Sequence, residues 1–430
     1  MYSLSKAIGV FLLWLASVSF AVAQPATLET LLKEADSNNP TLKISYEKIA
    51  ASYHKINQVK SLQDPTISVT LSNYPIDSFK TNQTPMTGNE IRLAQMFPFP
   101  GKLDAKGRIA NQKSLWFASM YQDNRLQVRS QVKDAWYRLL FQRQAIVLTN
   151  RNLKILDDFT KLTETRYEVG KGLQQNVLKA HLQRSQQMDK LLVLRQQEEA
   201  TMAELNSLAG HETNRMLEMN DQLTSYHKAF DLNELQQQAE QKRPMFNSYN
   251  SLIEQYRVQR ELAQLDYRPD FTLWAGYRWR DDSLADAGTD FVSAGISFNL
   301  PVRKERRSAA VAEADSLLRL AVQQRNNFRN QVHLKIHRAL TSFEQTKQLA
   351  ELYQSGIIPQ ADQTFQATLS AYQVDKVDFL DLLDSLMTLY RYEIDYIKAL
   401  SEQQRSMARL EAAAGLDADQ LSEQPTPVKG

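Results

Sequence analysis

The stretch Phe271 to Leu300, FTLWAGYRWRDDSLADAGTDFVSAGISFNL, contains two runs in which every second residue is apolar. In the first run the apolar positions are Phe271, Leu273, Ala275, Tyr277 and Trp279, and in the second they are Val292, Ala294, Ile296, Phe298 and Leu300. Alternation of this kind is typical of β-strands with one apolar face. We therefore expect strands near 271–279 and 291–300, joined by a polar loop.

A weaker copy of this pattern lies about 205 residues earlier in the chain. Ile67, Val69 and Leu71 alternate with Ser and Thr, and a second apolar run ends at Phe97. These runs predict strands near 66–74 and 90–97. The spacing between the copies recurs elsewhere in the chain, in pairs of matching residues that are 204 or 205 apart: Pro40 and Pro244, Pro65 and Pro269, Tyr167 and Tyr372, and the runs LNSLAG and LEAAAG that begin at Leu205 and Leu410. The sequence therefore predicts two structural repeats, residues 24–220 and 221–415.

Long helical patterns follow each predicted strand pair. In the first copy, residues 102–168 lack proline, and Val132, Leu139, Ile146 and Leu153 recur at intervals of seven, as in coiled coils. Glycines at 170 and 172 end this pattern, and a second helix is expected near 173–209, forming an antiparallel hairpin. The second copy predicts helices near 303–372 and 379–414, with Pro359 interrupting the first. Before the first strand pair, residues 27–63 are expected to be helical with a break at Pro40.

Both chain termini have distinct features. A basic Lys6, an apolar run from Ala7 to Phe20 and Ala21-Val22-Ala23 predict a secretory signal peptide over residues 1–23. The alternative is a membrane anchor, but the apolar run is shorter than the roughly 20 residues of a spanning helix. Residues 416–430 are expected to form a flexible tail. The chain has no cysteine, which excludes disulfides.

The composition argues against several classes of function. With 51 Lys and Arg against 49 Asp and Glu, the chain has no basic footprint for nucleic acid. No nucleophile elbow, phosphate loop, HExxH motif or dinucleotide fingerprint is present, so we expect no enzyme, cofactor or catalytic metal. His333 and His337 have the i,i+4 spacing of a zinc pair but no evident third ligand, and we interpret them as ordinary surface histidines.

The predicted strands are long enough to cross a bilayer core when tilted, since about 9 to 11 residues suffice. Tyr277 and Trp279 stand at a strand end, where an aromatic girdle would lie, and the opposite face is mainly Ser, Thr and Gly. An ordinary soluble sheet is the alternative.

A sheet in lipid cannot leave its edges unpaired, and bacterial barrels begin at about 8 strands. Four strands would therefore have to combine with those of other copies, which predicts a homo-oligomer, and the small polar face favours three copies over two.

These features together resemble the TolC-like outer-membrane efflux and secretion channels. The resemblance covers nearly all of the mature chain and rests on the duplication and on five segments, which are FPFPGK at 97–102, YEVG at 167–170, IPQA at 358–361, DLLD at 381–384 and TLY at 388–390. It implies a mainly helical fold with a small β part: a trimeric, 12-stranded outer-membrane barrel that continues into a periplasmic α-helical coiled-coil barrel. It also implies an exit channel of a tripartite efflux system, which works with a periplasmic adaptor protein and an inner-membrane pump.

The resemblance also assigns roles to particular residues. Asp381 and Asp384 are three apart, so they share one helix face. By spacing alone they are a solvated acidic stripe, but they match the family's pore constriction at the periplasmic entrance. Their counterparts 205 residues earlier are Asn176 and Lys179, and Lys179 is a candidate partner for an acid of the neighbouring hairpin.

Two further elements match the family's pattern. Val169, Gly170 and Leu173 match the hairpin tip that docks the adaptor, and Pro98, Pro100 and Gly101 form the strand-to-helix turn. That turn favours a pump of the resistance-nodulation-division type. Lys102 and its basic neighbours follow the second strand directly, and we interpret them as a belt facing lipid headgroups. The alternatives to an efflux channel are the exit of a type I protein-secretion system and a structural periplasmic coiled-coil protein. The sequence does not name the substrate.

Overall fold

The computed structural model describes residues 27–219, 222–283 and 287–416. In these ranges the protein is mainly helical, with one small antiparallel sheet. The predicted signal peptide, residues 1–23, lies outside the described residues, as does the predicted tail apart from Leu416. Among the described helices, none is both long enough and apolar enough to cross a membrane.

The secondary-structure elements occur in the same order twice. The first series is α1 (Leu28–Asn38), α2 (Pro40–Lys60), β1 (Thr66–Ser72), β2 (Gly88–Phe97), α3 (Lys102–Glu168) and α4 (Gln174–Leu208). The second series is α5 (Leu232–Lys242), α6 (Pro244–Leu265), β3 (Phe271–Trp279), β4 (Phe291–Phe298), α7 (Lys304–Leu352), α8 (Ile358–Gln373) and α9 (Phe379–Ala414). Each series therefore contains a helix pair, a strand pair and a long helical hairpin.

The two hairpins differ in the continuity of their first helix. Helix α3 runs unbroken over 67 residues, a length of about 100 Å at the usual rise per residue. In the second series a π-helical segment, Tyr353–Ile357, separates α7 from α8. Pro359 follows directly, and a proline lacks the backbone N–H and crowds the carbonyl of the preceding turn. The wider π turn accommodates this proline without ending the helix.

The junction within each helix pair is tied to the end of the hairpin in the same series. Asn39, between α1 and α2, caps α2 through Thr41 N at 2.9 Å and donates its amide to the carbonyl oxygen of Leu208 at 2.8 Å. Arg243 occupies the equivalent position between α5 and α6 and donates to the carbonyl oxygen of Ala413 at 3.4 Å. Both repeats therefore have a hydrogen bond from the helix-pair junction to the end of the hairpin, made by an asparagine in the first repeat and by an arginine in the second.

Arg243 also forms a buried ion pair with α3. Its Nε and Nη2 lie 2.8 and 3.3 Å from the two carboxylate oxygens of Asp123, and both side chains are 4% exposed. The guanidinium also lies 5.1 Å from the ring centroid of Phe328. Because charges this deeply buried are tolerated only when paired, Asp123 fixes the second helix pair against the first long helix.

Three apolar clusters hold the helices together. One joins α1 to α3 around Leu31 and Trp136, and a second joins α5 and α6 to α7 and α9 around Phe246 and Phe343. The third, around Phe379, joins α3, α8 and α9 near the hairpin tips. The short helices α1 and α5 therefore cover one side of the long helices at mid-length.

The four strands form one antiparallel sheet in the order β1-β2-β3-β4. Residues facing each other across the sheet place apolar side chains on one face, as in the rows Ile67–Leu93–Ala275–Ala294 and Val69–Ile91–Tyr277–Val292. Much of this face is exposed in the single chain, and Val292 is 80% exposed. In the described part of the chain no fifth strand pairs with the outer edge of β1 or of β4.

The opposite face of the sheet is more charged than the sequence pattern indicates. Besides Ser, Thr and Gly it carries Arg92, which lies 2.7 Å from Glu90 and 4.2 Å from the ring centroid of Trp274. A Cβ at Gly276 would lie 2.8 Å from a carboxylate oxygen of Glu90, so a larger residue here would displace the Glu90 side chain. The expectation of a mainly small polar face is therefore incomplete, because β2 and β3 place Glu90, Arg92 and Trp274 on it.

Candidate functional site

The strand-to-helix turn is built as a tight junction. Gly101 has φ +93° and is the N-cap of α3, and its carbonyl oxygen accepts from Ala105 N at 2.8 Å. Pro98 and Pro100 precede it. Only glycine adopts this backbone conformation without strain, so the turn between β2 and α3 depends on it.

Lys102 departs from the expectation of a headgroup-facing belt. It is buried, and its Nζ lies 2.9 Å from Asp270 and 3.1 Å from Asp266. Asp270 also accepts from the backbone N–H of Phe99 at 2.7 Å. Lys102 thus joins the first strand-to-helix turn to the segment that leads into β3. A lysine next to a strand is usually solvated, and only the tertiary structure brings these two acids to it.

The first hairpin tip is exposed and sharply turned. Gly170 has φ +71°, and the next residue donates its N–H to the carbonyl oxygen of Arg166 at 2.8 Å, which closes the end of α3. Val169 and Leu173 are each 62% exposed. A Cβ at Gly170 would meet no atom within 4 Å, so the tip presents apolar side chains and open space around the glycine.

The second hairpin tip repeats this geometry with an aspartate. Asp375 has φ +56°, the left-handed conformation that Gly170 adopts in the first tip. Its carboxylate lies 2.6 Å from Nη1 of Arg166, whose guanidinium stacks over Tyr372 with 4.5 Å to the ring centroid. The two tips of one chain are therefore joined by Arg166, a residue that sequence analysis did not identify. The 209-residue separation of the pair left no local signal.

Asp381 and Asp384 are exposed near the start of α9, and the buried residues Leu382, Leu383 and Leu386 hold the opposite side of the helix in the tip cluster. Neither carboxylate forms an ion pair with any described residue of the same chain. Both carboxylates are therefore free to face solvent or another chain.

Asp384 also lines a groove of about 500 Å³ between α3, α4 and α9. Helix α4 runs beside α9 at this level, since Lys190 Nζ lies 5.6 Å from the ring centroid of Tyr390. The first-repeat counterparts are on α4, where Lys179 is exposed and Asn176 is half-buried with no hydrogen-bond partner for its Oδ1.

An ion-pair network lies further from the tips, between α3 and α9. Asp134 receives both Nε and Nη2 of Arg405 at 3.0 and 3.1 Å and Nη2 of Arg409 at 2.9 Å. Burial alone would raise the pKa of Asp134, but the hydrogen bonds and charges of the two arginines outweigh it and hold the pKa below its ordinary value. The network fixes α9 against α3.

Metal binding has no support among the described residues, which contain no group of three or more side chains able to hold an ion. His333 instead lies 3.0 Å from Glu240 of α5. Its ring therefore joins α7 to α5 and does not pair with His337.

Comparison with known proteins finds similar sequences and structures. Residues 31–211 match the family model described as outer membrane efflux protein. The cobalt-zinc-cadmium resistance protein CzcC of Cupriavidus metallidurans is 19% identical over 398 residues, which is 91% of each chain.

Solved structures share the fold along nearly the whole length. The outer membrane protein VceC of Vibrio cholerae superposes with a TM-score of 0.76 at 20% identity, over 91% of this chain and 97% of that one. The CmeC outer membrane channel of Campylobacter jejuni gives 0.77 at 15% identity, over 90% and 85%.

These matches agree with the resemblance to outer-membrane efflux proteins that the sequence pattern indicates, and the solved structures share the fold over about nine-tenths of the chain. The matching family model and the solved structures VceC and CmeC are described as outer-membrane proteins, which agrees with the predicted location of this chain. The matching family model is described as an efflux protein, and the solved structures OprN and CmeC are described as outer-membrane channels. The mainly helical fold with a small antiparallel sheet is confirmed as well.

Proposed function

We propose that the protein is the outer-membrane exit channel of a tripartite efflux system, a passive duct formed by three copies of the chain. The observation that carries this proposal is the sheet at the base of the two long hairpins. It is apolar on one face, and no strand among the described residues pairs with either of its edges. In lipid each unpaired backbone group costs several kcal/mol, on the order of a lost hydrogen bond in an apolar medium. Twelve strands from three chains close such a sheet into a barrel.

In this assembly each repeat contributes one strand pair and one hairpin. The repeats are residues 24–220 and 221–415, as the duplication predicts. Six hairpins continue the barrel as a periplasmic tube of 12 helical strands, and the uncharged face of the sheet lies against lipid. The charged cluster around Arg92 and Glu90 lies on the opposite face and so lines the barrel.

Cysteine cross-linking tests the closure, because the natural chain has no cysteine. Within one sheet β1 and β4 are three strand spacings apart, about 14 Å, too far for a short thiol cross-linker. In a closed barrel β1 of one chain adjoins β4 of the next. We expect Ser68→Cys combined with Ser293→Cys or Ser297→Cys to give covalent oligomers, and the single variants to stop at dimers or monomers. Monomers alone in every combination would contradict the barrel.

The constriction is proposed to lie at Asp381 and Asp384. In a trimer these two exposed positions place six carboxylates around one axis, which attracts cations. Asn176 and Lys179 of the first repeat lie on the facing hairpins, and Lys179 is proposed to pair with an acid of a neighbouring hairpin when the entrance is closed. The exposed tip residues Val169, Gly170 and Leu173 are proposed to dock the periplasmic adaptor.

The partners are proposed to be an adaptor protein and an inner-membrane transporter of the resistance-nodulation-division type, with outer-membrane lipid around the barrel. The relative CzcC is named for cobalt, zinc and cadmium resistance, which supports divalent metal cations as a substrate class alongside drugs. Deleting the gene should then lower tolerance to these metals.

A type I secretion exit uses the same duct and remains the second candidate, because its tip and barrel requirements are identical.

A further inference from the structure

A groove with an unusual charge lies between α3, α7 and α9. It has a volume of about 390 Å³, and four cationic side chains line it, Arg243, Lys335, Arg338 and Arg409. None of its lining residues is acidic. We call this feature the basic groove. Its volume is within the range of about 300 to 1,000 Å³ that small-molecule sites occupy.

Two of the four cations are already neutralised and two are not. Arg243 and Arg409 form ion pairs with acidic side chains of α3 and α9, at 2.8 and 2.7 Å. Lys335 and Arg338 form no ion pair with any residue that the structure describes. Within the described residues, the basic groove therefore has an excess of two positive charges without an ion-pair partner.

Both free cations are positioned on the same side of α7. They are exposed and three residues apart, so their side chains share one helix face. Val332 and Ile336, on the adjoining side of α7, are buried and pack in the cluster that includes α5. Gln131 on α3 also lines the groove and carries a side-chain amide, whereas the amide of Gln127 donates to Asp123 at 2.9 Å.

We propose that the basic groove binds a multivalent oxyanion, with Lys335 and Arg338 as its charge partners. Hydrogen bonds between cationic donors and an oxyanion are about twice as strong as neutral ones, and an arginine can offer two parallel N–H donors to a phosphate-like group. The charge of this site is positive, opposite to that of the Asp381 and Asp384 pair near the tips. That the groove lies along a duct rests on the proposed function. The binding of an oxyanion to the groove does not depend on that function.

Titration calorimetry with inorganic pyrophosphate tests the proposal on the intact protein in mild detergent at low ionic strength. We expect saturable binding to the natural protein, and at least a tenfold loss of affinity in K335Q/R338Q. The charge-preserving variant K335R/R338K should keep most of the affinity. The matched control is R306Q/R319Q, which removes two exposed charges from the same helix outside the groove and should bind like the natural protein.

Two results would overturn the inference: no saturable binding to the natural protein, or equal affinity in K335Q/R338Q. The single variants K335Q and R338Q should each weaken binding severalfold, which keeps the test decisive if the double variant folds poorly. A protein that conducts ions in bilayers but does not bind pyrophosphate would refute this inference alone and leave the channel proposal standing.

Discussion

Replacing Asp123 by leucine should destabilise the protein substantially, because it leaves the Arg243 guanidinium charged and buried. Both side chains are 4% exposed, and removing one partner of a buried pair costs about 3–5 kcal/mol. For a chain of roughly 400 residues that unfolds cooperatively, an unfolding entropy of about 2 cal/mol/K per residue converts 4 kcal/mol into a lowering of Tm by about 5 °C. The loss of helical circular dichroism on heating in detergent measures this shift.

Two further variants separate the burial of charge from other effects. The double variant D123L/R243M removes both charges and should recover most of the Tm, since apolar replacement of a whole buried pair is often neutral or stabilising. The control E254L breaks an exposed ion pair with Arg257 and should lower Tm by less than about 1 °C, because exposed pairs contribute about 0–1 kcal/mol. If D123L melts like the natural protein, or the double variant is no more stable than D123L, the reasoning is wrong.

Three other predictions concern the tips and the helix network. Gly170→Arg should abolish efflux. Trimer yield should change little, because no atom lies within 4 Å of the Cβ position and the left-handed backbone at φ +71° costs a non-glycine residue only about 1–2 kcal/mol. Gly170→Asn, which tolerates the left-handed backbone, should keep efflux, and loss of trimer in the arginine variant would assign the glycine to folding. D381N/D384N should weaken cation selectivity and block by polyvalent cations in planar bilayers without altering assembly, and unchanged conductance would make these residues a solvated stripe. Asp134→Asn should lower Tm at neutral pH. Since the folded pKa of Asp134 is depressed, the stability that this carboxylate contributes is present above the unfolded pKa of about 3.9 and is lost as the pH falls through the lower folded pKa. The Tm difference between the two proteins should therefore shrink in acid, and a constant difference would contradict the assignment.

Local sequence patterns predict much of the fold because each helix or strand has one buried or apolar face, which leaves a periodic signal in the sequence. The alternation in Phe271–Trp279 and the heptads of α3 each reflect one buried or apolar face per element. The break at Pro40 is observed because proline fits the first turn of a helix and not its interior. The repeat of these signals 205 residues apart predicted that each strand pair would be followed by a hairpin.

The contacts that join distant segments were not predictable in this way. Lys102 belongs to a run of basic residues that is ordinarily solvated, and its burial depends on acids more than 160 positions away. The tie between Arg166 and Asp375 similarly links two tips 209 residues apart. Charged side chains give no periodic signal of burial, so only the packing of the helices decides which of them are paired.

The central claim is that three chains close one barrel, and the mass of the native assembly tests it most directly. Native mass spectrometry of the protein in mild detergent should give a single species with three times the mass of the mature chain. A stable, folded monomer under the same conditions would contradict the account, because a lone four-stranded sheet cannot satisfy its edges in lipid.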